Sequence, residues 1–133
     1  SLGNAIYLSD SEEEITRKVM GALTDPARIR KDDKGNPDIC MVAYYHKLFT
    51  KDEDYKTVCS ECKAGERGCV ACKKQLIKNI IDELEPIRAK RANYEAHPEI
   101  IDKVLIEGTK KAQQTAKEVM KKVKKAMKLN YFE

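Results

Sequence analysis

The sequence predicts an all-α protein, a helical bundle of about five helices with a cysteine-cluster loop between the third and the fourth. Three observations carry this. Apolar residues recur at three- and four-residue spacing along most of the 133 residues, the period of a helix with one buried face. No stretch alternates apolar and polar residues as a half-buried strand would. The composition is 41% apolar and 36% charged with only 6% aromatic residues and no Trp, which argues against a β-sandwich. The length suits one domain over 1–133, with room for a single core.

Residues 1–8 read as irregular or extended. Ser9, Asp10 and Ser11 can cap the free amides of a first helix, and Glu12, Glu13 and Glu14 complement its dipole. Ile15, Val19, Met20 and Leu23 form its apolar face, and Thr24-Asp25-Pro26 stops it. Residues 27–36 form a polar connector. Asn36-Pro37-Asp38 starts a second helix, with Pro in the first turn. Ile39, Val42, Ala43, His46 and Phe49 share its inner side, so Cys40 is expected on the helix near the buried face.

Asp52-Glu53-Asp54 opens a short third helix running into Cys59, followed by a loop over 63–68. Gly65 and Gly68 are expected to supply positive φ there. Cys72 falls in the first turn of a long fourth helix carrying Leu76, Ile77, Ile80, Ile81, Leu84 and Ile87, with a kink or brief break at Pro86. His97-Pro98 ends it. A fifth helix runs from about Pro98 to Lys128 with Ile101, Val104, Leu105, Val119, Val123 and Met127 as its stripe. Gly108 and Ala112 are small enough on that stripe for close helix contact.

The most specific chemistry is the pair of CxxC segments, Cys59-Ser60-Glu61-Cys62 and Cys69-Val70-Ala71-Cys72, with Cys40 upstream. A two-residue gap lets both thiolates of a pair reach one metal. An odd cysteine count and no secretory h-region favour metal over disulfides. A structural zinc would use Cys59, Cys62, Cys69 and Cys72. An iron–sulfur cluster could use Cys40, Cys62, Cys69 and Cys72, because thiolates from separate segments complete such clusters. Reduced cysteines without metal are the third reading. Spacing alone leaves these open.

No apolar run is long enough to span a membrane and no targeting segment is present, so no membrane partner and a cytoplasmic location are expected. The net charge of +4 is uneven. Counting from the sequence, residues 1–62 carry 9 basic and 12 acidic side chains, residues 63–98 carry 8 and 5, and residues 99–133 carry 9 and 5. The positive part begins at the cysteines, which suits an anionic partner such as RNA. Paired Lys121-Lys122 and Lys124-Lys125 read as a solvated face.

The order of these segments resembles a known family. Ser1-Leu2-Gly3-Asn4 is similar to the end of the class I aminoacyl-tRNA synthetase signature KMSKS followed by LGN. Thr24-Asp25-Pro26, Gly35-Asn36-Pro37-Asp38, Gly65-Glu66-Arg67-Gly68-Cys69, Leu84-Glu85-Pro86-Ile87-Arg88 and Ala126-Met127-Lys128-Leu129 resemble bacterial tryptophanyl-tRNA synthetases. The resemblance covers essentially the whole chain.

It implies the C-terminal, anticodon-recognising helical domain of a tryptophan–tRNA ligase, an enzyme that joins tryptophan to its tRNA with ATP. No catalytic residue is expected here: Ser1 is only the remnant of the signature, both signature lysines are absent and nothing replaces their charge. The chain alone is expected to be inactive, with ATP used only by the full-length parent. Some members bind a 4Fe-4S cluster. Cys40, Cys62, Cys69 and Cys72 follow their pattern with x21, x6 and x2 spacings, one residue short in the first interval, and zinc is the alternative. The parent is expected to be a homodimer, and the oligomeric state of the fragment is not fixed by the sequence.

Candidate contacts to tryptophan tRNA, at its anticodon loop, are Arg28, Arg30, Lys63, Arg67, Lys73 and Lys74. An Arg fork can read a base edge or grip phosphate. Tyr44, Tyr45 and Tyr55 are candidate stacking surfaces, although aromatic residues at helical spacing are more often core. His46 reads as a half-buried helix residue, not a ligand, and His97 as part of a helix boundary. The competing class is a metal- or redox-dependent helical interaction module, which would need an accessible low-pKa thiol.

Overall fold

The described residues form five α-helices: α1 (Glu12–Gly21), α2 (Met41–Phe49), α3 (Asp52–Ala64), α4 (Cys69–Ala96) and α5 (Pro98–Ala126). A 3-10 turn at Pro37–Ile39 precedes α2. This computed structural model describes residues 5–129 and 131, and among them there is no strand. The segment Ser1-Leu2-Gly3-Asn4, with the signature remnant Ser1, lies outside the described residues. The all-α expectation holds.

α1 starts where its cap predicts. The Glu14 amide donates to the Ser11 hydroxyl at 3.2 Å, and the Ser11 amide donates to the Glu14 carboxylate at 3.0 Å, so two orphan donors are satisfied reciprocally. Ile15 and Val19 are buried, but the helix ends at Gly21 and Leu23 is 82% exposed. The segment before α1 is held by Asp10. Its carboxylate accepts from the Tyr7 amide and pairs with Lys18, whose ammonium lies over the Tyr7 ring. The Lys18 bond, more than any other contact, holds the Asp10 carboxyl below its ordinary value.

Two boundaries differ from expectation. Cys40 is not on a helix; its backbone is extended at the junction between the 3-10 turn and α2. A 3-10 turn has three residues per turn, not 3.6, so Ile39 falls off the inner side and is 60% exposed while Val42, Ala43 and His46 are buried. α3 continues past Cys59 through Cys62 to Ala64, because nothing before Gly65 breaks it. Cys40, Cys62, Cys69 and Cys72 therefore lie at or near the ends of helices, Cys59 lies within α3, and the loop over 65–68 carries none.

Gly65 takes φ 80° and closes α3. Its amide meets the Cys62 carbonyl, and the Glu66 amide meets the Glu61 carbonyl at 2.9 Å, an arrangement that satisfies the last carbonyls of the helix. Gly68 does not take positive φ. Its carbonyl instead accepts from the Cys72 amide at 3.0 Å, opening α4. α4 runs without interruption through Pro86. Buried Leu76, Ile77, Ile80 and Leu84 hold the turns before it, and the good helix formers Arg88, Ala89, Lys90 and Arg91 follow.

The chain divides into two compact units, residues 1–89 and 90–133. The first contains the core: Ile15, Val19, Val42, Leu76, Ile77, Ile80 and Leu84, with Tyr45 and Phe49 packed against it. The second contains the end of α4 and α5. α5 begins with Pro98 in its first turn and has no buried residue. Among the described residues no helix is long and apolar enough to cross a membrane.

Truncating Leu76, 1% exposed in the centre of the core, is expected to cost about 2–5 kcal/mol. Leu48→Ala, at a side chain 61% exposed, is expected to stay within about 0.5 kcal/mol. Urea unfolding of the two variants checks the pair, and equal losses would contradict this core.

Candidate functional site

The connector between α1 and α2 is a fixed loop. Asp25, 5% exposed, staples its two ends: one carboxylate oxygen accepts from the Ala27 amide at 2.9 Å and the other from the Asn36 amide at 2.8 Å. The Asp33 carboxylate accepts from the amides of Ile29 and Arg30. Asn36 then caps the 3-10 turn by accepting from the Asp38 amide at 3.0 Å. The loop lies directly on the end of α3, where the Gly35 amide donates to the Cys62 carbonyl at 2.9 Å. A Cβ at Gly35 would come within 2.7 Å of the Cys62 sulfur and 2.8 Å of Arg28 Cδ. Only glycine lets the backbone approach so closely.

This packing gathers four thiols. Cys40 from the start of α2, Cys62 from α3, and Cys69 and Cys72 from the first turn of α4 line one small cavity, together with Arg28 and Arg67. Cys59 is not among its lining residues. It lies beside Tyr55, one turn earlier on α3, and the hydrogen bond between them is the first cause of the raised Tyr55 pKa. The set Cys40, Cys62, Cys69 and Cys72 is thus brought together, whereas the set that includes Cys59 is not.

Burial dominates the electrostatics. It pushes the Cys72 thiol up to about 11, against the pull of Arg67 and with help from the other three cysteines. Cys62 is also raised by burial, with Arg28 acting the other way. Among the described residues no three His, Cys, Asp or Glu side chains are grouped to hold a single metal ion. A tetrahedral zinc would need its four sulfurs about 3.8 Å apart. Four cysteines from three segments line this one cavity, side chains of the soft kind that thiolate-bound clusters use.

His46 backs this cavity more closely than its spacing suggested. It is fully buried. Nδ1 lies 2.8 Å from the Thr50 hydroxyl, and Nε2 lies 3.1 Å from the Cys72 carbonyl and 3.4 Å from its sulfur. Burial holds its pKa below the ordinary value. Asn79 donates to Thr50 at 2.7 Å, so the consistent chain runs from Asn79 through Thr50 and neutral His46 to the Cys72 carbonyl. That chain orients Cys72.

An open groove of about 560 Å³ adjoins the cysteines. Its sides are the connector, with Arg28, Ile29, Arg30 and Lys31, and the start of α4, from Gly68 to Ala71 with Lys74. Arg28 and Cys69 line both the groove and the cavity. Arg30 and Lys74 are exposed, and Ile29 stands 90% exposed beside them.

The remaining sequence candidates have other partners. Arg67 donates to Glu61 and Gln75, each at 2.7 Å, and its side chain is 16% exposed. Lys73 donates to the Met20 carbonyl. Lys63 is exposed on α3 and lines neither the groove nor the cavity. Tyr45 stacks on Phe49 against the core, Tyr55 is half-buried, and Tyr44 is 60% exposed next to Cys40. Sequence reasoning missed Lys31, Gly35 and the Asp25 staple. The signal available for them was the pairing of Asp25-Pro26 with Gly35-Asn36.

Residues 1–85 match the family described as tRNA synthetases class I (W and Y). The chain is similar to the tryptophan–tRNA ligase of Aquifex aeolicus, 47% identical over 97% of this chain and 33% of that protein. It is also similar to the tryptophan–tRNA ligase of Thermotoga maritima, 41% identical over 98% of this chain and 40% of that protein. The chain spans between a third and two fifths of the length of these curated relatives. A solved tryptophanyl-tRNA synthetase from Campylobacter jejuni shares the fold, with a TM-score of 0.81 at 22% identity over 93% of this chain and 40% of that one.

Proposed function

Because the chain belongs to the tRNA synthetases class I (W and Y), we propose that it is the C-terminal, anticodon-recognising domain of a cytoplasmic tryptophan–tRNA ligase. The ligase reaction, its ATP and its homodimer contact belong to the parent enzyme in this reading. The part played here is to hold tryptophan tRNA by its anticodon loop. The observation that carries the reading is the groove shared by Arg30, Lys31, Lys74 and the first turn of α4, with Cys69 of the cysteine site in its wall.

Each part of the groove suits a single-stranded nucleotide. Free amides at the start of a long helix, with Lys31 and Lys74 nearby, suit a backbone phosphate. Arg30 offers a guanidinium fork to a base edge, and exposed Ile29 offers it an apolar surface. Cys40, Cys62, Cys69 and Cys72 are the residues that would hold a 4Fe-4S cluster. Such a cluster would tie the connector, α3 and α4 together and fix the groove wall. Asp25, Gly35 and His46 already bring these segments together.

Titration with anticodon stem-loops of matching and altered sequence tests this. Arg30→Ala is expected to weaken the matching stem-loop by about 1–3 kcal/mol and to reduce discrimination, while Lys74→Ala weakens both equally and lowers the salt slope by about one. Equal affinity for both stem-loops, unchanged by Arg30→Ala, would contradict the proposal.

A further inference from the structure

We propose that Arg28 is a positioning residue for the group held by the four cysteines, compensating its thiolate charge and donating an N–H to the Cys62 sulfur. The inference rests on the reading that Cys40, Cys62, Cys69 and Cys72 bind a thiolate-ligated cluster. It gives Arg28 a role other than contact with RNA.

The geometry around Arg28 is over-determined. Its amide donates to the Asp25 carbonyl at 3.2 Å. Its Nη2 donates to the Lys31 carbonyl at 2.5 Å, which anchors the far end of the guanidinium within the connector. Its Cδ is packed against Gly35, where a methyl group could not fit. Held in this way, Nη1 points at the Cys62 sulfur from 3.9 Å. That distance is long for a neutral thiol and suits a donor waiting for a stronger acceptor.

The charge accounting points in the same direction. Arg67, the other cation lining the cavity, is already paired with Glu61. Arg28 has no carboxylate partner among the described residues. Its Nε is buried there with no hydrogen-bond partner. The guanidinium is half-buried, and a buried N–H donor left unmade is costly. Cysteines at these four positions, held as thiolates by a bound cluster, would supply negative charge beside it. Hydrogen bonds to cluster sulfurs and nearby charge are the levers by which a protein sets a cluster's potential and holds its ligands.

The test uses the 133-residue chain reconstituted anaerobically with ferrous iron and sulfide, in the wild type and in Arg28→Gln, Arg28→Lys and Arg30→Ala. The readouts are the midpoint potential by spectroelectrochemistry and the rate of iron release to a chelator, with circular dichroism as a check on folding. Arg28→Gln is expected to lower the potential and to speed iron release about 10- to 100-fold. Arg28→Lys, which keeps the charge without the fork, should restore the potential in part. Arg30→Ala, one groove residue away, should change neither readout. If wild type takes up a cluster and Arg28→Gln matches it in both readouts, the role of Arg28 is overturned while the cysteine site stands. If wild type takes up no cluster, the cysteine reading fails and the role of Arg28 fails with it.

Discussion

Alanine at position 65 is expected to destabilise the chain by about 2–5 kcal/mol, combining a left-handed backbone with overpacking. Gly65 sits at φ 80°, and a Cβ there would lie 2.3 Å from the Asp32 carbonyl oxygen. The obstacle is backbone, so no side-chain rotation relieves it. Either the end of α3 or the connector must move, and both carry the cysteine site. Gly21→Ala is the matched control. Gly21 ends α1 with open space around it, and alanine there is expected to be neutral or to stabilise by up to about 1 kcal/mol. Urea unfolding of both variants provides the comparison. A Gly65 variant as stable as wild type would mean that the connector does not lie on α3 as described.

Serine at position 40 is expected to abolish most iron retention after anaerobic reconstitution, whereas Cys59→Ser keeps it near the wild-type level. Cys40 lines the cavity with Cys62, Cys69 and Cys72, and Cys59 faces Tyr55 instead. Iron and sulfide per chain are the quantities to measure. A reversed order would place the metal between the two CxxC pairs. Equal retention in both variants would remove each four-cysteine assignment.

Much of this fold is legible in the sequence because the helix starts are written in local chemistry. Ser11 with Glu14, and His97-Pro98, mark boundaries that depend only on neighbours three or four residues away. Less legible are features fixed over longer distances. Asn36-Pro37-Asp38 is as compatible with a 3-10 turn as with an α-helix, and that ambiguity moved Cys40 from a helix to a junction. Gly65 and Gly68 looked alike until the end of α3 selected one of them for the left-handed position.

The site divides in the same way. CxxC spacing showed which cysteines to consider, but choosing between Cys40 and Cys59 required the connector to be laid on α3. Composition placed positive charge around the cysteines. It could not show that Glu61 and Gln75 take up Arg67, that Met20 takes up Lys73, or that Arg30, Lys31 and Lys74 share a groove. His46 looked like an ordinary helix residue because its partner Cys72 is 26 positions away.

The central claim, that this chain recognises tryptophan tRNA through the anticodon, is tested most directly by footprinting that tRNA at nucleotide resolution with the chain bound. The account predicts protection concentrated on the anticodon loop, lost in Arg30→Ala and weakened evenly by salt. Protection spread along the duplex stems, or confined to the acceptor end, would contradict it.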